Sequence, residues 1–235
     1  VDRYSILNDK YEAIENDQFK PVQEFKSDWI FVLFLLMILI AGVITYPYLP
    51  ERVATHWGLD GQPDDYMNKA IGAFLLPGIA IFVYILMLVT PLIDPGKENY
   101  SKFRKGYRVT RRGLILFFVL LYIVTTMFNL GYNVNIGKIV TIALGLFFIA
   151  IGNYMPQIRH NYFVGIKLPW TLADEEVWRK THIFAGKIFF ASGIIILLAG
   201  IFFGDYVKYY LILSIVILIL IVTSVYSYMV YSRRD

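Results

Sequence analysis

Residues 152–187 read GNYMPQIRHNYFVGIKLPWTLADEEVWRKTHIFAGK. This is the longest polar, motif-like interruption in the apolar part of the chain, and the segments on either side carry almost no charge. The two runs that flank it, and the side of a bilayer on which it falls, decide the topology of everything else.

Composition puts the chain in lipid. Of 235 residues, 57% are hydrophobic and 17% charged, with a mean hydropathy of +0.57. A soluble domain carries about a quarter charged residues, so the apolar excess must face something other than water. Aromatic residues make up 17%, which suits the membrane–water interface that Tyr and Trp favour. Cysteine is absent, excluding a disulfide framework, a thiolate zinc site and a cysteine nucleophile. The first apolar run begins near Trp29, after a charged lead, and is too long for the apolar core of a cleavable signal peptide, so none is expected.

Working outward from 152–187, uncharged runs of spanning length recur. A bilayer core of about 30 Å needs roughly 20 apolar residues. Trp29–Leu49, Ala70–Ile93, Gly113–Tyr132, Ile139–Tyr154, Ile188–Phe203 and Tyr209–Tyr231 meet or approach that length. Pro47 and Pro50 stop the first, and Pro91 and Pro95 the second. The expected fold class is all-α: a polytopic membrane protein of six transmembrane helices, with N- and C-termini cytoplasmic. It divides into a tail (1–28), a first pair of helices with an external loop at 50–69 (29–93), and four helices with a cytoplasmic loop at 155–187 (94–235).

The basic residues support this count. The lead holds four Lys or Arg, 94–112 seven, 155–187 five and the C-terminal end two. The alternate connectors hold only Arg52 and Lys69, then Lys138, then Lys208. Inside-facing loops are the basic ones, so strict alternation places 152–187 inside. The net charge of +4 is accounted for by this placement, and direct nucleic-acid binding is not expected. In the lead, Tyr4, Leu7, Tyr11 and Ile14 recur at helical spacing. The segment reads either as an amphipathic helix on the membrane or protein surface, or as a loosely ordered tail.

Gly145 with Gly152, and Gly193 with Gly200, are each seven apart, which puts each pair on one helix face. Small residues let helices approach closely in lipid, so the fourth and fifth spans are expected to meet along these faces.

No span carries Asp, Glu, Lys, Arg or His near its middle, as ion-coupled transporters and proton pumps usually do. His56, His160 and His182 are the only histidines. They form no His-Glu-x-x-His pair and do not share one side, so neither a catalytic zinc site nor any other metal or cofactor is expected. Nor is there a Walker or Rossmann loop.

The outer connector, 47–70, reads PYLPERVATHWGLDGQPDDYMNKA. Asp60-Gly61 followed by Pro63 is a turn signal, and a compact external loop is expected. Trp57 and Tyr66 suit headgroup anchoring. Asp60, Asp64 and Asp65 lack calcium-loop spacing. In the inner connector Asn161, Gly165 and Pro169 mark a turn-rich path. Thr171 reads as an N-cap with Asp174 at N3, starting a short helix from Leu172 to about Thr181 that feeds the fifth span. Glu175–Arg179 and Glu176–Lys180 are i,i+4 pairs. Trp170 and Trp178 suit interfacial anchoring, and His182 a polar helix junction.

Gly-Asn-Tyr at 152–154, Asn-Tyr-Phe-x-Gly-Ile at 161–166, Pro-Trp-Thr-Leu at 169–172 and Trp-Arg-Lys-Thr-His at 178–182 closely resemble the signature segment of the SdpI-like family of bacterial and archaeal membrane proteins. Leu-Pro-Glu-Arg-Val-Ala-Thr-His-Trp-Gly-x-x-Gly-Gln-Pro-Asp at 49–64 resembles that family's outer loop. The resemblance implies a non-enzymatic immunity protein of the cell membrane, acting against a secreted peptide toxin. It also implies signalling through a cytoplasmic transcriptional repressor held at the membrane. Its expected partners are membrane lipids, the extracellular peptide toxin and that repressor. The expected inner binding residues are Asn153, Asn161, Gly165, Lys167, Pro169, Trp170, Thr171, Trp178, Arg179, Thr181 and His182. The outer ones are His56, Trp57, Asp60, Gly61 and Asp64. A metal-assisted membrane enzyme acting on lipid or peptide, and a small-substrate transporter, are the rival classes.

Overall fold

Backbone polar groups in lipid must bond within their own segment, which leaves the helix as the form open to long uncharged runs. The computed structural model describes residues 19–233; the Tyr4, Leu7, Tyr11, Ile14 pattern lies outside the described residues. A short helix, α1 (Pro21–Ser27), precedes α2 (Trp29–Thr45). A hairpin of β1 (Arg52–Trp57) and β2 (Pro63–Asn68) follows, then α3 (Lys69–Ile93), α4 (Arg104–Asn129) and α5 (Ile136–Tyr154). The chain ends in the one-turn helix α6 (Pro169–Ala173), α7 (Glu175–Phe202) and α8 (Asp205–Ser232). Helices α2, α3, α4, α5, α7 and α8, six among the described residues, are long and apolar enough to cross a membrane, and the chain is a multi-pass membrane protein.

Several boundaries differ from the sequence expectation. Pro91 does not stop α3 but lies inside its last turn, and the helix ends at Ile93 with Asp94 as its extended C-cap. Helix α4 begins nine residues before Gly113, and α7 starts at Glu175 and runs unbroken to Phe202. In both cases the polar turns outside the apolar run are helical because tertiary partners hold them.

The connectors alternate between the two ends of the bundle. Asn129, at the end of α4, bonds to Ala54 of the hairpin, and a Cβ on Gly61 of the hairpin would meet Asp205 at the start of α8. At the opposite end, segment 94–103 bonds to segment 158–162. The hairpin and the 155–174 connector therefore occupy opposite ends.

The expected glycine face is present. A Cβ on Gly152 would lie 2.4 Å from Phe190 N, one on Gly145 2.6 Å from Leu197 N, and one on Gly193 2.6 Å from Ile149 N. Backbone meets backbone along α5 and α7, the closest approach that helices in lipid make. Gly186 extends the seam toward the connector, lying against Gly152 O.

A buried charge cluster ties α1 to α4. Glu24 and Asp28, four residues apart, are both buried. Arg108 donates to both Glu24 oxygens at 2.8 Å. Arg111, fully buried, spans the two acids with bonds of 2.8 Å to Glu24 and 2.7 Å to Asp28. Arg112 donates to Asp28 at 2.7 Å. Burial alone would raise the Glu24 carboxyl, but the Arg108 and Arg111 hydrogen bonds outweigh it and hold the group below its ordinary value.

Candidate functional site

The connector at 155–174 is built around a ring pair. Trp178 and His182 are one turn apart on α7, and their rings stack at 4.1 Å. Both are fully buried. Trp178 Nε1 donates to Ile158 O at 2.9 Å. The Ile166 amide donates to His182 Nε2 at 3.0 Å, so that nitrogen carries no proton. Nδ1 then carries the hydrogen and donates to Trp178 O at 2.8 Å; the imidazole is neutral, with its tautomer set by these two bonds. Gly165, at φ +128°, lies over both rings. His160 adds an edge-on contact to Trp178 at 5.1 Å and bonds to Leu172 O.

Asn161, also buried, holds the turn before Gly165. Its Oδ1 accepts from the Phe163 and Val164 amides, and its Nδ2 donates to Arg159 O and Val164 O. Segment 94–103 clasps this turn. Asp94 accepts from the Gly96 amide, the Tyr100 hydroxyl and the Tyr162 amide, and Asn99 donates to His160 O at 2.9 Å. Burial first, and the Asp94 carboxylate second, push the Tyr100 hydroxyl far above its usual range, so it stays protonated as the donor.

The N-cap expectation is corrected. Thr171 lies inside α6, where its hydroxyl bonds to Ile166 O and accepts from the Leu168 amide. Pro169 at the first helical position starts that turn early. Asp174, extended at φ −151°, caps α7 instead, accepting from the Glu176 and Val177 amides. The short helix at Leu172–Thr181 is thus one turn, a break, and the start of a spanning helix. Arg179 pairs with Glu176, one turn away, at 2.7 Å rather than with Glu175, while Glu176–Lys180 is present at 3.5 Å. Trp178 is not an interfacial anchor, being fully buried, while Trp170 is half-buried. Trp178 is core, and Trp170 Nε1 donates to Ser227 Oγ on α8 at 2.7 Å.

Of the expected inner residues, Asn161, Gly165, Thr171, Trp178 and His182 converge on one buried network, with Trp170 linking it to α8. Thr181 is buried beside it, and its hydroxyl has no hydrogen-bond partner among the described residues. Asn153, Lys167, Pro169 and Arg179 are exposed. Arg179 lines a polar cavity of about 470 Å³ at this end, together with Asn99, Arg159, His160 and Glu176. The sequence reading missed Asp94, Asn99 and Tyr100. Asp94-Pro95-Gly96 was the available signal, an aspartate placed to bond its own chain two residues on.

At the other end the compact loop is a β-hairpin. Its strands pair antiparallel with Val53 opposite Met67 and Ala54 opposite Tyr66. The turn runs through Gly58–Gly61 with Gly61 at φ +74°, where Asp60-Gly61 predicts it. His56 Nδ1 meets Asp64 Oδ1 at 2.5 Å, both exposed. Asp60 accepts from the Gln62 amide and Asp65 from the Tyr66 amide. Trp57 packs edge-on against Phe128 of α4 at 5.5 Å. Among the described residues no three His, Asp or Glu side chains converge on a point that a metal ion would occupy.

Residues 157–227 match the model of the SdpI/YfhL protein family. That stretch takes in the ring pair, its clasped turn and the Ser227 tether. This part of the chain is similar to that family. Residues 32–81, which include the hairpin, match a domain of unknown function, DUF1648. The Immunity protein SdpI of Bacillus subtilis (strain 168) is 27% identical over 210 residues, covering 89% of this chain and 98% of that protein. No solved structure matches the chain.

Proposed function

We propose that the chain is an immunity protein of the cell membrane that protects its host against a secreted peptide toxin. The observation that carries this reading is the extent of similarity to an immunity protein, 98% of whose length is matched, so that the hairpin and the ring-pair connector are both included. The role is a binding one and non-catalytic. The 155–187 connector lies in the cytoplasm together with both termini, in keeping with the excess of Lys and Arg at that end. The hairpin then faces outward and meets the toxin through His56, Asp60 and Asp64, with Trp57 and Gly61 shaping the turn. The inner end carries the response, with the exposed Arg179 and Lys167 contacting a cytoplasmic repressor, while Trp178 and His182 hold that surface in shape.

The test is complementation of a Bacillus subtilis strain deleted for its own SdpI and grown beside its parent. Wild-type chain restores growth. A His56→Ala/Asp64→Ala variant at equal membrane level loses protection. Arg179→Ala keeps protection but reduces repressor co-fractionation with membranes. Absence of protection by wild-type chain at normal membrane level sinks the immunity reading; full protection by the hairpin variant sinks only its assignment to toxin contact.

A further inference from the structure

Beneath the hairpin lies a cavity of about 340 Å³, whose rim includes His56 and Gly61. On the hairpin side it is lined by Thr55 and Trp57, and on the helix side by Leu76, Leu121 and Val140, with Lys208 of α8 also in its wall. The lining is largely apolar, yet its polar members are unusual. Lys208 is only 4% exposed, and its ammonium pairs with Asp205 at 2.6 Å. A buried lysine carries three N–H donors and no acceptor, and Asp205 meets it on one side. The Trp57 indole nitrogen and the Thr55 hydroxyl are shielded from solvent and have no hydrogen-bond partner among the described residues. Groups left in that state cost stability unless something meets them.

We propose that this cavity binds an apolar ligand carrying a hydrogen-bond-accepting oxygen, a carbonyl or carboxylate, that meets Trp57 Nε1 and the Lys208 ammonium. The chemistry follows from the wall groups that are left over. His56 and Asp205 also line the wall, but they are engaged by Asp64 and Lys208. The indole N–H is a donor alone, the Thr55 hydroxyl can donate, and the ammonium keeps donors beyond Asp205, so the complementary group is an acceptor. Asp205 is engaged by Lys208 at 2.6 Å, so its carboxylate is not free for a cation, while the ammonium keeps N–H donors to spare. An engineered apolar cavity of about 150 Å³ takes a benzene-sized group, so this volume holds a ligand body of about two such groups. That oxygen could come from a peptide or from a fatty acyl chain, and the two sources share one chemistry. The inference does not require the immunity reading, because binding is measured on the isolated protein.

The experiment uses the full chain in lipid nanodiscs, following the indole N–H resonance of Trp57 by NMR and assigning it with Trp57→Phe. Three probes are titrated: N-acetyl-leucyl-phenylalanine, decanoate and hexylammonium. A saturable shift is expected with an acceptor probe and none with hexylammonium. Saturation by the dipeptide assigns a peptide source, and saturation by decanoate alone a lipid one. Lys208→Met is expected to weaken that binding at least tenfold. Val140→Trp, which fills the cavity from its apolar side and leaves every polar group in place, is expected to abolish it and guards against a folding defect in the lysine variant. Absence of a saturable shift with both acceptor probes, an equal shift with hexylammonium, or unchanged binding in Val140→Trp overturns the proposal.

Discussion

The Ile166 amide donates to Nε2 of His182 at 3.0 Å, so one bond closes the Asn161–Gly165 turn onto the buried ring pair of α7. Gly165 makes this closure possible. A Cβ there would stand 2.4 Å from His182 Nε2 and 3.0 Å from Trp178, and the φ of +128° is one that side chains rarely adopt. Gly165→Ala is therefore expected to cost about 3 kcal/mol from strain and overpacking together. His182→Phe keeps the stack on Trp178 but leaves the Ile166 amide unpaired in a dry site, costing about 1–3 kcal/mol. Thermal unfolding of both variants in nanodiscs checks the order. A Gly165→Ala protein as stable as wild type would show that the turn does not seat on the rings.

The α5–α7 seam gives a sharper contrast. Gly152→Ala places a methyl group 2.4 Å from Phe190 N and 2.7 Å from Gly186 O. Backbone cannot yield there as a flexible side chain can, so the helices must part. Gly78, inside α3, has nothing within 4 Å of its Cβ position, and alanine there gains about 1 kcal/mol of helix propensity at most. The expected result is a large loss of monodisperse protein on size-exclusion chromatography for Gly152→Ala and none for Gly78→Ala. Equal behaviour of the two would remove the seam as a determinant of packing.

Much of this architecture was readable from residues. The spans follow from uncharged length, and the seam from glycines at seven-residue spacing. The turn at Asp60-Gly61 follows from glycine's access to positive φ. The hairpin strands were not readable because Arg52–Trp57 and Pro63–Asn68 are short, and neither alternates: Val53 and Ala54 are buried side by side, and Pro63–Asn68 is exposed at nearly every position. The N-cap was misplaced because Thr171 and Asp174 both suit the role and Pro169 settles the competition by starting a separate turn. Glu24, Asp28 and the arginines of α4 read as cytoplasmic surface charge. Their four- and three-residue spacing was a visible sign of facing stripes, but burial is a tertiary fact that one sequence does not print. The ring pair was legible as a shared face of α7, while its cover, Asp94 and Tyr100, comes from a different connector.

Asn129 closes the hairpin end of the bundle with one side chain. Its Oδ1 accepts from the Ala54 amide at 2.7 Å, and its Nδ2 donates to Ala54 O at 3.1 Å, so it acts as a third strand would toward β1. Asn129→Ala leaves both groups of a buried residue unpaired, at a cost of about 1–3 kcal/mol. Asn129→Asp keeps the acceptor and loses the donor, and is expected to fall between wild type and alanine. Hydrogen exchange of the hairpin amides is the readout, with faster exchange at 52–57 expected in that order. Identical exchange in all three proteins would mean that the hairpin is held by its packing on α3 and α4 alone.

Acid should loosen the opposite end through Glu24. Its carboxyl lies below the ordinary 4.5 in the folded chain, so its stabilising contribution is present in full above about pH 4.5 and is lost as pH falls through the depressed value. Protonation removes one of the two acids that balance Arg108 and Arg111, leaving arginine charge without its counter-ion. Stability of the wild-type protein should therefore fall steeply on the acid side, with α1 releasing from α4. Glu24→Gln makes the same loss permanent. It is expected to cost about 3 kcal/mol near neutral pH, the scale of breaking one partner of a buried pair, and to flatten the acid-side slope. Thermal unfolding of both proteins from about pH 7 to about pH 3 measures the two effects together. A variant that keeps the wild-type slope would place the titrating group elsewhere, and one that loses no stability near neutral pH would show that α1 is held by Asp28 alone.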